Sequence, residues 1–402
     1  MRPRTILRKV LVVAVVLTAS SFAVAQDVAG PTIFGRAEFL RWTIQDAPVP
    51  FALLSTTNAA GTNSEVLIGG QPVGMGTLPG ARFNGGIWFD PTVGVEAGGF
   101  FLDRASRFDL FTDDTGNLRF AQPYINALNG LPALRYLSGL GQVTPSRVVF
   151  IPDSERTITI PGINLPGSTA VVGFANRSTL WGTDVNGMYG VGAGGFRAEL
   201  LAGARYLQLD EQMVLEAASL KAPAVAGDLF TTTDSFTTRN EFYGGQAGVR
   251  FVFGGVGGFL EVTGKFAAGT MLEQADTAGS LKTTTFDPTK PPALYAGGMY
   301  AQHSNVGTTN ATRFATVSEA QVNGGFQFGP VRAFAGYSIL YVSSVARPGN
   351  QIDPAINPNQ SEAITKSGTP PGIGNGPASP ARSINSSSFW AQGVNFGLEL
   401  RY

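Results

Sequence analysis

Apolar and polar side chains alternate strictly along the end of the chain. Apolar residues occupy every second position, and Asn395, Gly397, Glu399 and Arg401 lie between them. The apolar positions are Val394, Phe396, Leu398, Leu400 and Tyr402. A period of two predicts a β-strand with one apolar and one polar face, and the final aromatic residue is in register with the apolar face. Such a strand is typical of a membrane-spanning β-barrel, where lipid covers one face and the lumen lies behind the other.

The same alternation recurs along the chain and predicts ten strands. They cover 33–44, 81–89, 93–103, 178–189, 195–209, 240–253, 258–270, 315–328, 331–343 and 388–402. Tight reversals rich in Gly or Pro join the strands in pairs. Long connections separate the pairs and cover 45–80, 104–177, 210–239, 271–314 and 344–387. The predicted fold class is all-β, a closed antiparallel transmembrane β-barrel with short periplasmic turns and long extracellular loops.

The connection at 104–177 leaves a second strand count open. A structureless segment of this length is unusual in a compact domain. Within it, 146–151 and 169–174 have the composition of strands. A barrel of twelve strands is therefore the alternative to ten. Strand 33–44 alternates less regularly than the others, so the sequence leaves its register uncertain.

Assigning alternate residues to lipid and lumen places charges of both signs inside the barrel. The predicted basic lumen residues are Arg36, Arg82, Arg197, Arg205, Arg250, Lys265, Arg332 and Arg401, and the acidic ones are Glu38, Glu96, Asp184, Glu199, Glu261, Glu319 and Glu399. A strongly ion-selective pore would favour one sign. The near-balance predicts ion pairs that fill a narrow interior. A ladder of charges that guides a substrate is the alternative.

The first residues have the pattern of a cleaved secretory signal. A basic start is followed by an apolar run over 10–17, and Ala23 and Ala25 form an A-x-A cleavage pattern. We expect a signal peptide over 1–25, a single barrel domain over 26–402 and export to the bacterial outer membrane. Amino-terminal sequencing of the membrane-inserted protein tests cleavage after Ala25, and a retained Met1 would contradict it.

The amino-acid composition limits the partners and reactions that are open to this chain. The chain has 28 basic and 28 acidic residues, and the absence of a basic excess argues against nucleic acid as a partner. His303 is the only histidine, and there is no cysteine. A His/Cys metal cluster is therefore impossible, and a His-activated nucleophile would depend on one residue in a polar connection. We expect no enzyme activity, no catalytic residue, no metal and no cofactor.

The predicted partners are those of an outer-membrane barrel. The apolar strand faces predict contact with outer-membrane lipid. Phe396, Leu398, Leu400 and Tyr402 are predicted to form a C-terminal assembly signal for the barrel-assembly machinery. The sequence is compatible with two functions. The first is an integral barrel that is porin-like for small solutes, with a narrow salt-bridged lumen, or chiefly structural. The alternative is a surface-interaction protein whose long loops bind a partner or an envelope layer.

Several strand segments resemble a bacterial outer-membrane β-barrel family of unassigned function. The most specific are Leu-Ala-Gly-Ala-Arg-Tyr-Leu-Gln-Leu at 201–209 and Phe-Trp-Ala-Gln-Gly at 389–393. Further similar segments lie at 37–42, 85–89, 180–186 and 240–248. The resemblance implies an outer-membrane location and a barrel. It implies no reaction and no ligand.

Overall fold

The computed structural model describes residues 31–57, 64–113, 119–143, 147–151, 156–160, 165–221, 228–255, 257–285, 287, 289–365 and 376–402. The predicted signal peptide at 1–25 lies outside these residues. No helix within the described ranges is long and apolar enough to cross a membrane.

Ten antiparallel strands form one closed ring of pairings. In chain order they are β1 (Thr32–Ile44), β2 (Thr77–Trp88), β3 (Val93–Leu102), β4 (Leu165–Ala193), β5 (Phe196–Lys221), β6 (Asp228–Gly254), β7 (Gly258–Thr284), β8 (Gly307–Phe328), β9 (Val331–Ala346) and β10 (Ser386–Arg401). Each strand pairs with the next one in this order. β10 also pairs with β1, which closes the ring. The predicted ten-stranded antiparallel barrel is confirmed.

The twelve-strand alternative is wrong, because neither extra segment adds a strand to the ring. Arg147–Ile151 pairs with Arg156–Ile160 in a separate hairpin. Residues 169–174 are the beginning of the long strand β4 and already pair with β5. The register of β1 is now defined, with the even-numbered residues from Phe34 to Ile44 facing inward.

Tight turns join the barrel strands at one end, as predicted. Gly194 and Gly195 connect β4 to β5 with φ of +59° and +86°, and Gly329 connects β8 to β9 with φ of +59°. These left-handed backbone conformations favour glycine because it lacks a Cβ atom. Between β2 and β3, Asp90 accepts hydrogen bonds from the backbone N–H and the hydroxyl of Thr92, both at 2.7 Å. In outer-membrane barrels the short turns face the periplasm.

At the opposite end the strands continue far beyond their predicted limits. β5 contains 26 residues and β6 contains 27, whereas a membrane-spanning strand needs about 9–11. The predicted connection at 210–239 is therefore wrong over most of its length. The inward side chains of this extension include Thr232, Asp234 and Thr238, all buried. Polar residues on both faces hide the alternation that identified the membrane-spanning part.

A second sheet, which we call the cap sheet, lies within the long connections. Its strands are Ala52–Thr57, Ser64–Gly69, Arg119–Asn126, Pro132–Tyr136 and Ala355–Ile356. Three further strands pair with extended barrel strands: Ala105–Asp113 and Gly139–Val143 with β4, and Ala293–Ala296 with β7. Arg147–Ile151 and Arg156–Ile160 form the separate hairpin. Short 3-10 turns at Pro348–Gln351 and Pro358–Gln360 and a helical turn at Glu362–Thr365 follow β9.

The outward face of the ring is apolar all the way round. Every barrel strand presents an exposed large hydrophobic side chain, namely Phe39, Phe83, Phe101, Val185, Leu200, Tyr243, Phe266, Val322, Ile339 and Phe396. The rings of Trp181, Tyr206 and Tyr243 form a cluster on this face, with centroid separations of 5.1 and 4.9 Å. Aromatic girdles of this kind mark the membrane–water interface of outer-membrane barrels.

We expect Leu200→Arg to lower the free energy of unfolding in lipid by about 2–4 kcal/mol, because Leu200 is exposed on the lipid face between the periplasmic turn and Tyr206. Gln212→Arg is the matched control. It lies on the same face of β5 beyond the girdle, where the cost should be about 0–1 kcal/mol. Urea titration in lipid vesicles measures both changes. Equal losses would contradict the membrane depth assigned to β5.

Candidate functional site

Ion pairs cross the barrel interior at the level of the charged residues predicted for the lumen. All of those residues lie on the inward face of their strands. Arg36 on β1 pairs with Glu261 on β7 at 2.7 Å, and Arg82 on β2 pairs with Glu319 on β8 at 2.6 Å. The partners belong to strands that are not neighbours in the ring, so each pair bridges the lumen. Further bridging pairs join Arg205 to Glu319 (2.5 Å), Arg250 to Glu96 (2.7 Å) and Lys265 to Asp184 (2.8 Å).

The remaining lumen charges pair with residues beside them. Glu199 accepts from Arg250 at 2.9 Å and from Arg197 at 2.8 Å. Glu38 pairs with Arg36 at 3.2 Å, Arg332 pairs with Glu399 at 3.6 Å, and Arg401 hydrogen-bonds to Glu399. The side chains of Arg197 and Arg401 are about one third exposed, which places them at the periplasmic rim. The opposite charges therefore neutralise one another within the wall and across the lumen.

Uncharged amides fill the space between the ion pairs. Asn395 donates to Glu38 at 3.0 Å and to Asn323 at 2.8 Å, and Asn323 donates to Glu261 at 3.1 Å. Gln321 donates to Glu38 at 2.9 Å. A cavity of about 40 Å³ remains beside Gln321, Arg82 and Arg205 at this level, which is room for a few water molecules. We call this level of the barrel the charged layer.

Aromatic rings cover the charged layer at its periplasmic end. The guanidinium of Arg36 lies 4.0 Å from the ring centre of Phe334, and that of Arg197 lies 4.2 Å from Trp88. Buried inward side chains pack beside Trp88 and include Phe34. Stacking on aromatic faces compensates the arginines for part of their lost hydration. The periplasmic mouth is thus narrowed by side chains.

An apolar layer fills the lumen on the extracellular side of the charged layer. It is one contiguous cluster of buried side chains to which all ten barrel strands contribute. The inward residues include Trp42, Leu78, Phe100, Leu180, Leu207, Phe242, Met271, Val317, Leu340 and Phe389, one from each strand. This layer was not predicted, because the inward face was expected to be polar throughout. The signal was present in β1, where Leu40, Trp42 and Ile44 made both faces look apolar.

A third layer joins the cap sheet to the extended barrel wall. A second buried cluster contains Leu54 and Phe120 of the cap sheet together with Phe174, Leu215 and Phe236 of the extended strands. The cap is therefore packed against the inner surface of the wall. The cap sheet and the extended wall therefore share one hydrophobic cluster.

A buried arginine clamps the segment after β9 to the wall of the barrel. Arg347 is fully buried and donates to both carboxylate oxygens of Glu211 on β5 at 2.8 Å. It also donates to the backbone carbonyls of Asp46 at 2.9 Å and Gln45 at 3.2 Å. A bidentate arginine–carboxylate pair fixes orientation as well as distance. No local sequence pattern predicted this clamp.

A buried carboxylate holds a second connecting segment. Asp234 on β6 accepts hydrogen bonds from the backbone N–H groups of Met299 (3.1 Å), Tyr300 (2.9 Å) and Ala301 (2.7 Å). Burial raises the pKa of the Asp234 carboxyl above its usual value. The Tyr300 hydroxyl donates to the carbonyl of Pro123 in the cap sheet at 2.8 Å. These hydrogen bonds link the extended barrel wall, the segment around Tyr300 and the cap sheet outside the membrane.

The described residues offer little for catalysis or metal binding. His303 is exposed in a turn after the Asp234 contact. Within the described ranges, no group of three or more His, Cys, Asp or Glu side chains is arranged to hold a metal ion. The chemistry of the interior is that of paired charges and apolar packing.

A closed antiparallel ring with an apolar outer face and an inward charged layer defines an outer-membrane β-barrel protein. The family model described as "Putative beta barrel porin-7 (BBP7)" matches residues 34–402, and the chain belongs to this family. The resemblance to an outer-membrane barrel family is thus confirmed. No curated protein matches the chain. Among solved structures, the outer membrane protease OmpT from Escherichia coli is similar, with 8% identity over 92% of this chain and 97% of that chain and a TM-score of 0.37.

Proposed function

We propose that this protein is a closed outer-membrane barrel that presents a rigid folded cap on the cell surface as a binding surface. The observation that carries the proposal is the apolar layer, to which every strand of the ring contributes. A hydrated path for ions or sugars needs polar groups or open space along its whole length, and this layer provides neither. Ten strands also lie far below the 16–18 of water-filled porins.

The charged layer supports the same function. Its arginines and carboxylates are committed to one another across the lumen, so few charges are left to attract a passing solute. The structural interpretation of these charges is favoured over the substrate-guiding ladder. A porin-like function would require the charged layer and the apolar layer to rearrange together into a continuous water-filled path.

The cap has the properties of a surface built for contact. It packs on the extended barrel wall, and Arg347 and Asp234 hold the connections around it. A cap fixed in this way loses little conformational freedom when it binds a partner. No catalytic or cofactor-dependent role is proposed.

The absence of cysteine makes the exposure of the cap directly testable. Leu131→Cys places a thiol on the cap, where the native side chain is 60% exposed. Gly255→Cys places one in a periplasmic turn with no neighbouring atom within 4 Å of the added Cβ. In intact cells a membrane-impermeant maleimide should modify only the cap thiol, and the turn thiol should react after the outer membrane is permeabilised. The reverse labelling, or a protected cap thiol, would contradict the proposal.

A further inference from the structure

The hairpin formed by Arg119–Asn126 and Pro132–Tyr136 ends the cap sheet with a free edge. Pro132–Tyr136 pairs with Arg119–Asn126 on one side. No strand of the described residues pairs with it on the other side. An unpaired strand edge offers a row of backbone donors and acceptors to a further strand.

The backbone groups on that edge can be assigned from the ends of the hairpin. Asn126 N–H donates to the Leu131 carbonyl at 2.9 Å, and Leu137 N–H donates to the Phe120 carbonyl at 2.7 Å. Odd-numbered residues of the edge strand therefore direct their backbone groups into the hairpin. In an antiparallel pair the alternate residues direct theirs away. The N–H and C=O groups of Leu134 and Tyr136 thus point away from the hairpin, along the edge that no described strand occupies.

The edge is preorganised by a buried anchor. Arg135 lies between these two residues, and its side chain is buried on the inner face. It donates to the Gln122 side chain at 2.5 Å and to the Ala363 carbonyl at 2.8 Å. Because the Arg135 side chain fixes the strand on its inner face, the outward edge is already extended in the free protein.

The surface beside the edge is mostly apolar, and the Arg119 guanidinium lies 5.9 Å from the ring centre of Tyr136 at one end of it. Leu131, Leu134 and Tyr136 are 60%, 39% and 45% exposed to water. A groove of about 460 Å³ runs from this strand across the cap sheet, and its lining is Phe51, Ala52, Pro123, Tyr124, Ile125, Pro132, Ala133, Leu134 and Pro354. No charged side chain is in that lining. Exposed apolar patches on a water-facing surface mark interaction sites.

We propose that this edge binds an extended, uncharged apolar peptide segment of a partner, which adds a strand beside Pro132–Tyr136. The inference rests on the proposed surface-binding function and specifies its partner chemistry. Backbone hydrogen bonds to Leu134 and Tyr136 supply affinity in strand addition, and pockets for alternate side chains supply selectivity. The neutral lining disfavours acidic or basic segments, because a charge placed there would lose hydration without gaining a partner.

The test uses the refolded full-length mature chain and a capped neutral peptide of alternating valine and threonine that carries an uncharged fluorophore. We expect saturable binding, and slower hydrogen exchange at the Leu134 and Tyr136 amides than in the free protein. Peptides with lysine or glutamate in place of valine should bind at least about tenfold more weakly. Absence of saturable binding by the neutral peptide would overturn the inference.

Paired variants isolate the backbone contribution. Leu134→Pro and Leu134→Ala both remove the leucine side chain, but only proline removes the edge N–H. Leu134→Pro should therefore bind at least about tenfold more weakly than Leu134→Ala. A peptide N-methylated at alternate amides gives the same comparison without altering the protein. Equal binding by both variants and by both peptides would overturn strand addition.

Two further outcomes would point to a different occupant or a different docking site. If Leu134 and Tyr136 are already protected in the absence of peptide and the protein forms dimers, a second copy occupies the edge and the peptide proposal is wrong. If the neutral peptide does not bind while the cap thiol at position 131 is labelled from outside, the docking site is wrong but the displayed cap is not.

Discussion

A chain without Val394–Tyr402 should fail to form a folded barrel. Over this segment β10 pairs with residues 34–41 of β1 and with residues 331–337 of β9. Its removal leaves two strand edges unpaired within the lipid. Each unsatisfied backbone group there costs several kcal/mol, which exceeds the net stability of a typical domain after a few groups. The deletion also removes Asn395 and Glu399 from the charged layer.

Heat-modifiable migration in gel electrophoresis distinguishes the folded barrel from the unfolded chain. The matched control is the double variant Phe396→Ala and Leu398→Ala, which keeps the backbone pairing and removes two lipid-facing side chains. It should still refold into detergent or lipid. Failure of this control only in cells would support the predicted assembly signal. Barrel-like migration of the deletion variant would refute the ring closure by β10.

Breaking the buried Arg347–Glu211 pair should have the next largest effect. Arg347→Met leaves the Glu211 carboxylate buried without its partner, and loss of one member of a buried pair typically costs about 3–5 kcal/mol. The carbonyls of Gln45 and Asp46 also lose their donor. We expect the free energy of unfolding in lipid vesicles to fall by this amount, as measured by urea titration.

Two controls test the cause of that loss. Adding Glu211→Leu to Arg347→Met should recover most of the stability, because no unpaired charge then remains buried. Arg239 on β6 and Asp210 on β5, the residue before Glu211, form a pair at 3.1 Å, but their side chains are 56% and 33% exposed. Arg239→Met should therefore cost less than about 1 kcal/mol. A similar loss for both arginines would contradict the clamp.

The membrane-spanning part of the fold could be predicted because lipid imposes a simple rule. Side chains that face lipid must be apolar, as Leu200, Phe266 and Phe396 are. Glycines in the tight turns mark where the strands end. The rule ends at the membrane surface. Beyond it, Thr232 and Asp234 face inward into a packed cap, so the period-two pattern no longer separates inside from outside. The strand extensions consequently have the sequence character of loops.

The interior could be predicted only in part. The inward charges follow from strand register, but their partners do not, since Arg36 and Glu261 lie 225 residues apart in the chain. The lumen was expected to be polar throughout, and the apolar layer contradicts this. In β5 the layer is visible in the sequence as two inward apolar residues, Leu207 and Leu209. Arg347 and Asp234 gave no local signal, because their partners are set by the folding of distant connections.

Planar-bilayer recording of the refolded mature chain tests the closed barrel most directly. Folding of the reconstituted protein is verified beforehand by heat-modifiable migration, so that an absent current cannot be assigned to an unfolded protein. The apolar layer predicts membranes that contain folded protein but show no stable ohmic conductance steps. Reproducible, long-lived conductance of the wild-type barrel would contradict the closed lumen and support a porin-like function instead.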